Sequence, residues 1–179
     1  MIRLCTQSDF ESIWQIINDA ARAYKGVIPY DRWHEPYMSR DELKREIEEG
    51  VEFWGLDLID GLAGVMGIQD KGEVALIRHA YVKTTHRRKG IGAGLLHFLE
   101  SRTDKPILIG TWVDARWAVA FYQKHGFRSL DTQEKNALLR KFWSIPERQI
   151  ETSVVLANAK WKGVQQSGKG AATIHTPHP

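Results

Sequence analysis

The stretch RRKGIG occupies residues 87–92 and leads into the apolar, helix-like run LLHFL. Gly90 and Gly92 lie between this run and a preceding strand-like segment, HAYV (79–82). Glycine lets the backbone approach a ligand closely, and the first turn of a helix offers free N–H groups at the positive end of its dipole. The stretch therefore predicts an anion site suited to a phosphate or pyrophosphate. Three cations stand at its rim: Arg87, Arg88 and Lys89.

This motif alone does not name its ligand. The P-loop pattern GxxxxGK[ST] is absent, and the spacing of the dinucleotide fingerprint GxGxxG is not met. A tight turn with a solvated basic rim fits the same residues. A second stretch, AVAFYQKHGF at 118–127, adds information because it predicts a helix with Phe121, Tyr122 and His125 near one face and a stop at Gly126.

Together the two stretches resemble the GNAT superfamily of N-acetyltransferases. The first matches its R/Q-x-x-G-x-G/A signature, here Arg87-x-x-Gly90-x-Gly92, preceded by a strand. The second is similar to the pattern A-x-x-F-Y-x-K-x-G-F at the expected distance downstream. It is carried by Ala118, Phe121, Tyr122, Lys124, Gly126 and Phe127. The resemblance spans residue 2 to about residue 158 and implies acetyl-CoA as the cosubstrate. The seven histidines are scattered along the sequence, so no metal site is expected.

The rest of the chain gives the element order β-α-α-β-β-β-α-β-α-β-α-β. Turn signals at Asp60-Gly61 and Lys71-Gly72 separate three strands of a meander, and strand–helix units follow. We expect a mixed, mostly antiparallel α/β sheet of about seven strands flanked by helices, as in the GNAT-like acyl-CoA N-acyltransferase fold. Ser39 with Glu42 predicts a helix-capping box, and Asp114 is a further candidate cap.

The chain is predicted to form one GNAT-like domain over residues 1–160 and a disordered basic tail over 161–179. Residues 160–179 contain three lysines and no acidic residue, so they carry the whole net charge of +3. A nucleic-acid-binding protein should instead show a basic stripe on its folded body, so that function is not expected. The last strand, ETSVVLAN (151–158), can pair within the sheet or across a dimer. The resemblance favours a homodimer.

The resemblance assigns the cofactor-binding residues. Backbone N–H groups from Arg88 to Gly92 would hold the pyrophosphate, and the pantetheine arm would pair with strand 80–82 as an extra strand. The sheet must then open between HAYV and ILIGTWV (107–113). The predicted cofactor-binding residues are Ala80, Tyr81, Val82, Arg87, Arg88, Lys89, Gly90, Ile91 and Gly92. Ala115 stands where the family often has a cofactor-contacting Asn, with Arg116 as a possible substitute.

Few side chains are needed for the chemistry. A backbone N–H near Tyr81 or Val82 could stabilise the oxyanion that forms on the thioester carbonyl. By the resemblance, Tyr122 would protonate the departing thiolate. The base that deprotonates the amine is open among His79, Glu73 and water. Strand alternation puts His79 and Tyr81 on one face, and Arg78, Ala80 and Val82 on the other.

The irregular loop KGVIPYDRWHEPYM (25–38) is the expected acceptor site. Four aromatic side chains could line a pocket there: Tyr30, Trp33, His34 and Tyr37. Asp31 or Glu35 could hold a cationic amine. A loop that merely covers the core is the alternative.

These residues predict an N-acetyltransferase that transfers acetyl from acetyl-CoA to a primary amine of a small molecule or peptide, by direct attack in a ternary complex. A non-catalytic acyl-CoA sensor or partner-binding module of the same fold is the alternative, and Ala115 is its support. No apolar leader or membrane-length apolar run is present, so we expect a cytoplasmic protein without a membrane partner.

Overall fold

The computed structural model describes residues 1–164. In this part of the chain, seven strands and six α-helices follow one another. They are β1 (Ile2–Leu4), α1 (Phe10–Ala21), α2 (Arg40–Glu48), β2 (Val51–Leu58), β3 (Gly61–Asp70), β4 (Ala75–Val82), α3 (Ile91–Glu100), β5 (Ile107–Trp112), α4 (Arg116–Lys124), β6 (Arg128–Ser129), α5 (Thr132–Phe142), α6 (Glu147–Glu151) and β7 (Ser153–Ala157). The predicted order is confirmed, except that it lacked the short helix α6. Over residues 1–164, none of the helices has the length and apolar character that a membrane span requires.

The strands form one seven-stranded sheet in the order β1-β2-β3-β4-β5-β7-β6. Only β4 and β5 pair in parallel within the described chain, and the other neighbours are antiparallel. The predicted mixed, mostly antiparallel sheet is therefore confirmed. The last strand, β7, pairs inside the sheet with β5 and β6.

Local signals place most of the turns and caps. Gly61 and Gly72 adopt positive φ angles of 103° and 82° at the two predicted turns of the meander. The Oγ atom of Ser39 accepts a hydrogen bond from the Glu42 N–H (3.1 Å), so Ser39 caps α2 as predicted. The cap predicted at Asp114 is wrong. The helical backbone of α4 begins at Arg116, so Ala115, which is fully buried in a cluster with Ile28 and Trp112, occupies the N-cap and Asp114 lies outside the helix.

Helices cover both faces of the sheet. α1 and α2 pack on one face through a core that includes Ile16, Leu43 and Phe53, while α3 and α4 cover the other. α5 and α6 close the β5–β7 end. Trp161 is buried in that last core and donates from Nε1 to Glu134 (2.8 Å), so packing continues past residue 160. Residues 165–179, most of the predicted tail, lie outside the described residues.

Candidate active site

The two central strands pair over only part of their length. Parallel pairing of β4 with β5 joins three residue pairs and ends at Ile77–Ile109. Beyond that point β5 pairs with β7, from Gly110 to Trp112, while β4 stays paired with β3 as far as Val82. The sheet therefore opens between β4 and β5, as the predicted mode of cofactor binding requires.

A cavity of ≈ 1000 Å³ lies at this opening. Residues 77–82 of β4 form its floor, and the first turn of α3, the inner face of α4 and the loop before α2 surround it. All but one of the predicted cofactor-binding residues line it; the exception is Lys89, which is exposed. Arg116 also lies outside the lining.

The backbone of Val82 faces the opening. The Lys83 N–H donates to the Ala63 carbonyl of β3 (2.9 Å). Successive residues of a strand direct their backbone groups to opposite sides, so the N–H and carbonyl of Val82 point away from β3. Of the two predicted oxyanion donors, Tyr81 and Val82, the strand pairing leaves the Val82 N–H available to a ligand.

The glycine stretch forms a cradle of N–H groups. Gly90 is the N-cap of α3, with a φ of 75° and no side-chain capping bond. Arg88 is also left-handed, with a φ of 61°. Backbone of this kind turns successive N–H groups toward one point, which is an anion-binding geometry. The first bond of the helix runs from the Gly94 N–H to the Gly90 carbonyl (2.9 Å), so the N–H groups of residues 91–93 have no acceptor within α3.

The cations of the glycine stretch differ in position. The Arg88 side chain is exposed and lines the cavity. Arg87 also lines it, but one of its guanidinium nitrogens contacts the Ala20 carbonyl near the end of α1 (3.4 Å). Arg88 is therefore the cation of this stretch best placed to meet a bound anion.

A β-bulge at His79 changes the alternation of β4. Arg78 pairs with Gly67 and Tyr81 pairs with Val65, so His79 and Ala80 oppose a single residue of β3. His79 takes up the extra length with a φ of 55°. His79 and Tyr81 share a face, as predicted, with ring centroids 6.4 Å apart. The prediction for Arg78 is wrong, because the bulge leaves it on the side of α2 together with His79.

Glu46 of α2 joins these two side chains. One carboxylate oxygen accepts from Arg78 (3.1 Å) and the other contacts the Nε2 atom of His79. Burial would raise the pKa of Glu46, but the charge and hydrogen bond of His79, with the charge of Arg78, outweigh it and lower the pKa below its ordinary value. Sequence reasoning missed Glu46, although its spacing from Leu43 puts it on the buried face of α2.

Four tyrosines surround the opening. Tyr122 is 6% exposed, and burial, together with the nearby Tyr24 phenol, raises its pKa above the ordinary value. The Tyr24 ring lies 5.5 Å from that of Tyr37 and 6.3 Å from that of Tyr81. Burial raises the pKa of these three phenols as well. Each phenol therefore stays protonated at neutral pH and can donate a hydrogen bond or a proton.

Several other predicted residues lie elsewhere. Glu73 is exposed and pairs with Lys141 (3.0 Å), outside the cavity lining. Of the aromatic side chains proposed to line an acceptor pocket, His34 and Tyr37 do so. The other four residues predicted in this loop lie outside the lining. Tyr30 is 96% exposed, and Trp33 stacks on Tyr37. Asp31 pairs with Arg148, and Glu35 pairs with Lys25.

Comparison with known proteins identifies a matching domain family and similar folds. A family model described as the acetyltransferase (GNAT) domain matches residues 18–141. The fold is similar to that of a PaiA N-acetyltransferase from Thermoplasma acidophilum in complex with coenzyme A (TM-score 0.68, 19% identity, 90% of this chain and 98% of that one). It is also similar to the ribosomal-protein-S18-alanine N-acetyltransferase from Escherichia coli (0.62, 15%, 95% and 97%). A third similar structure is a GNAT family acetyltransferase from Elizabethkingia anophelis with acetyl-CoA bound (0.57, 21%, 88% and 96%). No curated protein matches the sequence.

The fold and the matched domain define an acyltransferase. Because the family model covers well over half of the chain, the protein belongs to the GNAT acetyltransferase family. The predicted family and fold are thereby confirmed.

The Glu46 cluster gives a pH-dependent contribution to stability. We expect Glu46→Gln to lower the free energy of unfolding near neutral pH by about 1–3 kcal/mol, because Arg78 and His79 lose their charged acceptor. The folded-state pKa of Glu46 is lowered, so this contribution is present above the unfolded-state value of about 4.3 and is lost as the pH falls through the folded-state value. Urea denaturation near pH 7 measures the loss of stability, and urea denaturation near pH 3 measures whether the loss disappears when Glu46 is protonated.

Glu11→Gln is the matched control, since Glu11 pairs with Arg40 on the surface (2.6 Å). It should produce no comparable loss. An equal loss from both variants, or a Glu46→Gln deficit that is the same at both pH values, would contradict the role given to Glu46.

Proposed function

We propose that this protein transfers the acetyl group of acetyl-CoA to a primary amine of a small molecule or peptide, by direct attack in a ternary complex. The observation that carries the proposal is the opening between β4 and β5. It brings three features to one cavity: the free backbone edge at Val82, the N–H cradle before α3 and the phenol of Tyr122.

The residues of this cavity fit the chemistry of coenzyme A. The cradle offers N–H donors without an acceptor in α3, and Arg88 adds a full positive charge, so the pyrophosphate finds both hydrogen bonds and charge there. The free edge of β4 can accept the pantetheine arm as an added strand. Two similar solved proteins, those from Thermoplasma acidophilum and Elizabethkingia anophelis, hold coenzyme A or acetyl-CoA.

Proton transfer assigns roles to two side chains. The amine nitrogen attacks the thioester carbonyl carbon, the Val82 N–H stabilises the negative oxygen, and the carbon–sulfur bond then breaks. Tyr122, which lines the cavity and whose phenol is protonated at neutral pH, donates its proton to the departing sulfur. His79 accepts the proton from the amine. With its Nε2 atom held by Glu46, the Nδ1 atom is the one left for this step.

Binding of coenzyme A is expected to depend on the charge at Arg88. Arg88→Glu should weaken the affinity for coenzyme A about 10-fold or more, because a carboxylate then lies beside the pyrophosphate. Titration calorimetry at low and at high salt measures the Kd for coenzyme A. The difference in affinity between the variant and the wild type should become smaller as the salt concentration rises.

Arg116→Glu makes the same change of charge outside the cavity lining and should leave the affinity unchanged. If Arg88→Glu binds as tightly as the wild type, the anion site before α3 is wrong. A loss from Arg116→Glu alone would instead move the pyrophosphate toward α4.

Tyr122→Phe separates an enzyme from a sensor of the same fold. Removing the phenolic oxygen should lower kcat about 100-fold, while the Kd for coenzyme A stays the same. Tyr30→Phe is the matched control because Tyr30 is 96% exposed. A Tyr122→Phe variant with full activity would exclude the phenol as the acid. Absence of any acetyl transfer by the wild type, with coenzyme A still bound, would favour the sensor, whose support is Ala115.

His79→Gln tests the base. We expect kcat/KM to fall about 100-fold in this variant, because the amine then loses its nearby proton acceptor. Glu73→Gln should have no effect, since Glu73 pairs with Lys141 away from the cavity. Initial rates with saturating acetyl-CoA and an amine concentration well below KM measure kcat/KM for both variants. Full activity in both variants would make water the proton acceptor. A loss of activity in Glu73→Gln alone would make Glu73, and not His79, the base.

A further inference from the structure

The charged side chains on the acceptor side of the cavity fall into two groups. Glu46, Arg78 and His79 satisfy one another. Arg32 and Glu42 also line the cavity, yet neither has an ion-pair partner within 4.0 Å among residues 1–164. One free cation and one free anion therefore face the space where an acceptor would lie.

Arg32 has an unused donor. It lies in a short turn, Tyr30–Arg32, and its Nη2 atom donates to the side-chain oxygen of Gln149 in α6 (3.2 Å). Its Nε atom is shielded from water and has no hydrogen-bond partner among the described residues. A ligand cannot reach that shielded atom, but the Nη1 atom is neither shielded nor hydrogen-bonded among the described residues, so it can donate to a group in the cavity. A guanidinium presents its donors as a planar fork that matches the two oxygens of a carboxylate.

Arg32 and Glu42 act on the same phenol. Burial and the Tyr24 phenol raise the pKa of Tyr37, and a hydrogen bond from Trp112 lowers it. The negative charge of Glu42 also raises this pKa, and the positive charge of Arg32 lowers it. All three residues line the same cavity, and the Tyr37 hydroxyl accepts from the Trp112 Nε1 atom (2.9 Å). A positive and a negative group in one cavity are suited to a small molecule that carries both charges.

We propose that the acceptor is a free amino acid, whose carboxylate binds the Arg32 guanidinium and whose ammonium group is attracted by Glu42 before it is deprotonated. This inference rests on the proposed function, because it names the class of amine that is acetylated. It gives the Arg32 guanidinium an anion and Glu42 a cation, which neither has as an ion-pair partner among the described residues. An amine without an acidic group would match Glu42 and leave Arg32 unmatched.

The test measures binding separately from turnover. The twenty common L-amino acids and their α-carboxamides are added to the protein saturated with coenzyme A, and the melting temperature is recorded. A ligand that binds the native state raises it. At least one amino acid should stabilise the wild type and its carboxamide should not. Arg32→Gln should lower the affinity for that amino acid about 10-fold to 100-fold. Arg32→Lys keeps the positive charge without the planar pair of donors, so it should recover part of the lost affinity.

Arg148→Gln is the matched control. Arg148 pairs with Asp31 (3.3 Å) and so joins the same two segments as Arg32, but it lies outside the cavity lining. It should bind the amino acid as the wild type does. The melting temperatures of all variants without an amino acid verify that each is folded.

The outcomes separate the inference from the proposed function. The inference is overturned if no amino acid stabilises the protein, if acid and carboxamide are equivalent, or if Arg32→Gln and Arg148→Gln behave alike. Stabilisation that depends on Arg32, without acetylation of the bound amino acid, supports the amino-acid site at Arg32 and contradicts the transferase. Acetylation of amines without a carboxylate, with kcat/KM equal to that of amino acids, supports the transferase and overturns the inference.

Discussion

The early end of hydrogen bonding between β4 and β5 is the constraint on which the rest of the site depends. Parallel pairing stops at Ile77–Ile109, and the carboxyl half of β4 then has a protein partner on one edge only. A backbone edge buried without a partner is costly, so such an edge needs a ligand or water. The opening also sets what lies around it, because α3 begins beside β4 and the inner face of α4 lies across the gap. The N–H cradle before α3 and the phenol of Tyr122 thus owe their common position to a break in the sheet rather than to a contact between them.

The bulge at His79 determines which side chains of β4 lie on each face of the sheet. In a regular strand His79 would face α3 and its apolar core, where an imidazole without a partner is unfavourable. The extra residue turns it toward α2, where Glu46 and the Phe53 ring receive it. The same turn keeps Ala80 and Val82 packed toward α3. One inserted residue therefore gives β4 a polar patch on one face and an apolar surface on the other.

Local features could be predicted from the sequence, and distant contacts could not. The tight turn of the glycine stretch, the Ser39 cap and the turns of the meander each depend on a few neighbouring residues. Their sequence patterns were therefore sufficient to predict them. The bond between His79 and Glu46 joins residues 33 positions apart, and that between Trp112 and Tyr37 joins residues 75 apart. Strand alternation even misassigned Arg78, since no residue type marks a bulge of this kind. In the aromatic loop, composition did not show which side chains line the cavity.

The left-handed conformations of His79 and Arg88 have a consequence for any effort to stabilise this protein. They are the non-glycine residues with positive φ in the part of the chain described, and both line the cavity. Such a conformation costs roughly 1–2 kcal/mol for an L-residue, and glycine or asparagine would relieve much of it. A search for substitutions that favour folding alone would therefore select these two positions among the first. The strain that makes them attractive targets coincides with the imidazole and the guanidinium that the proposed function uses, so under that proposal thermostability and activity are in direct conflict there.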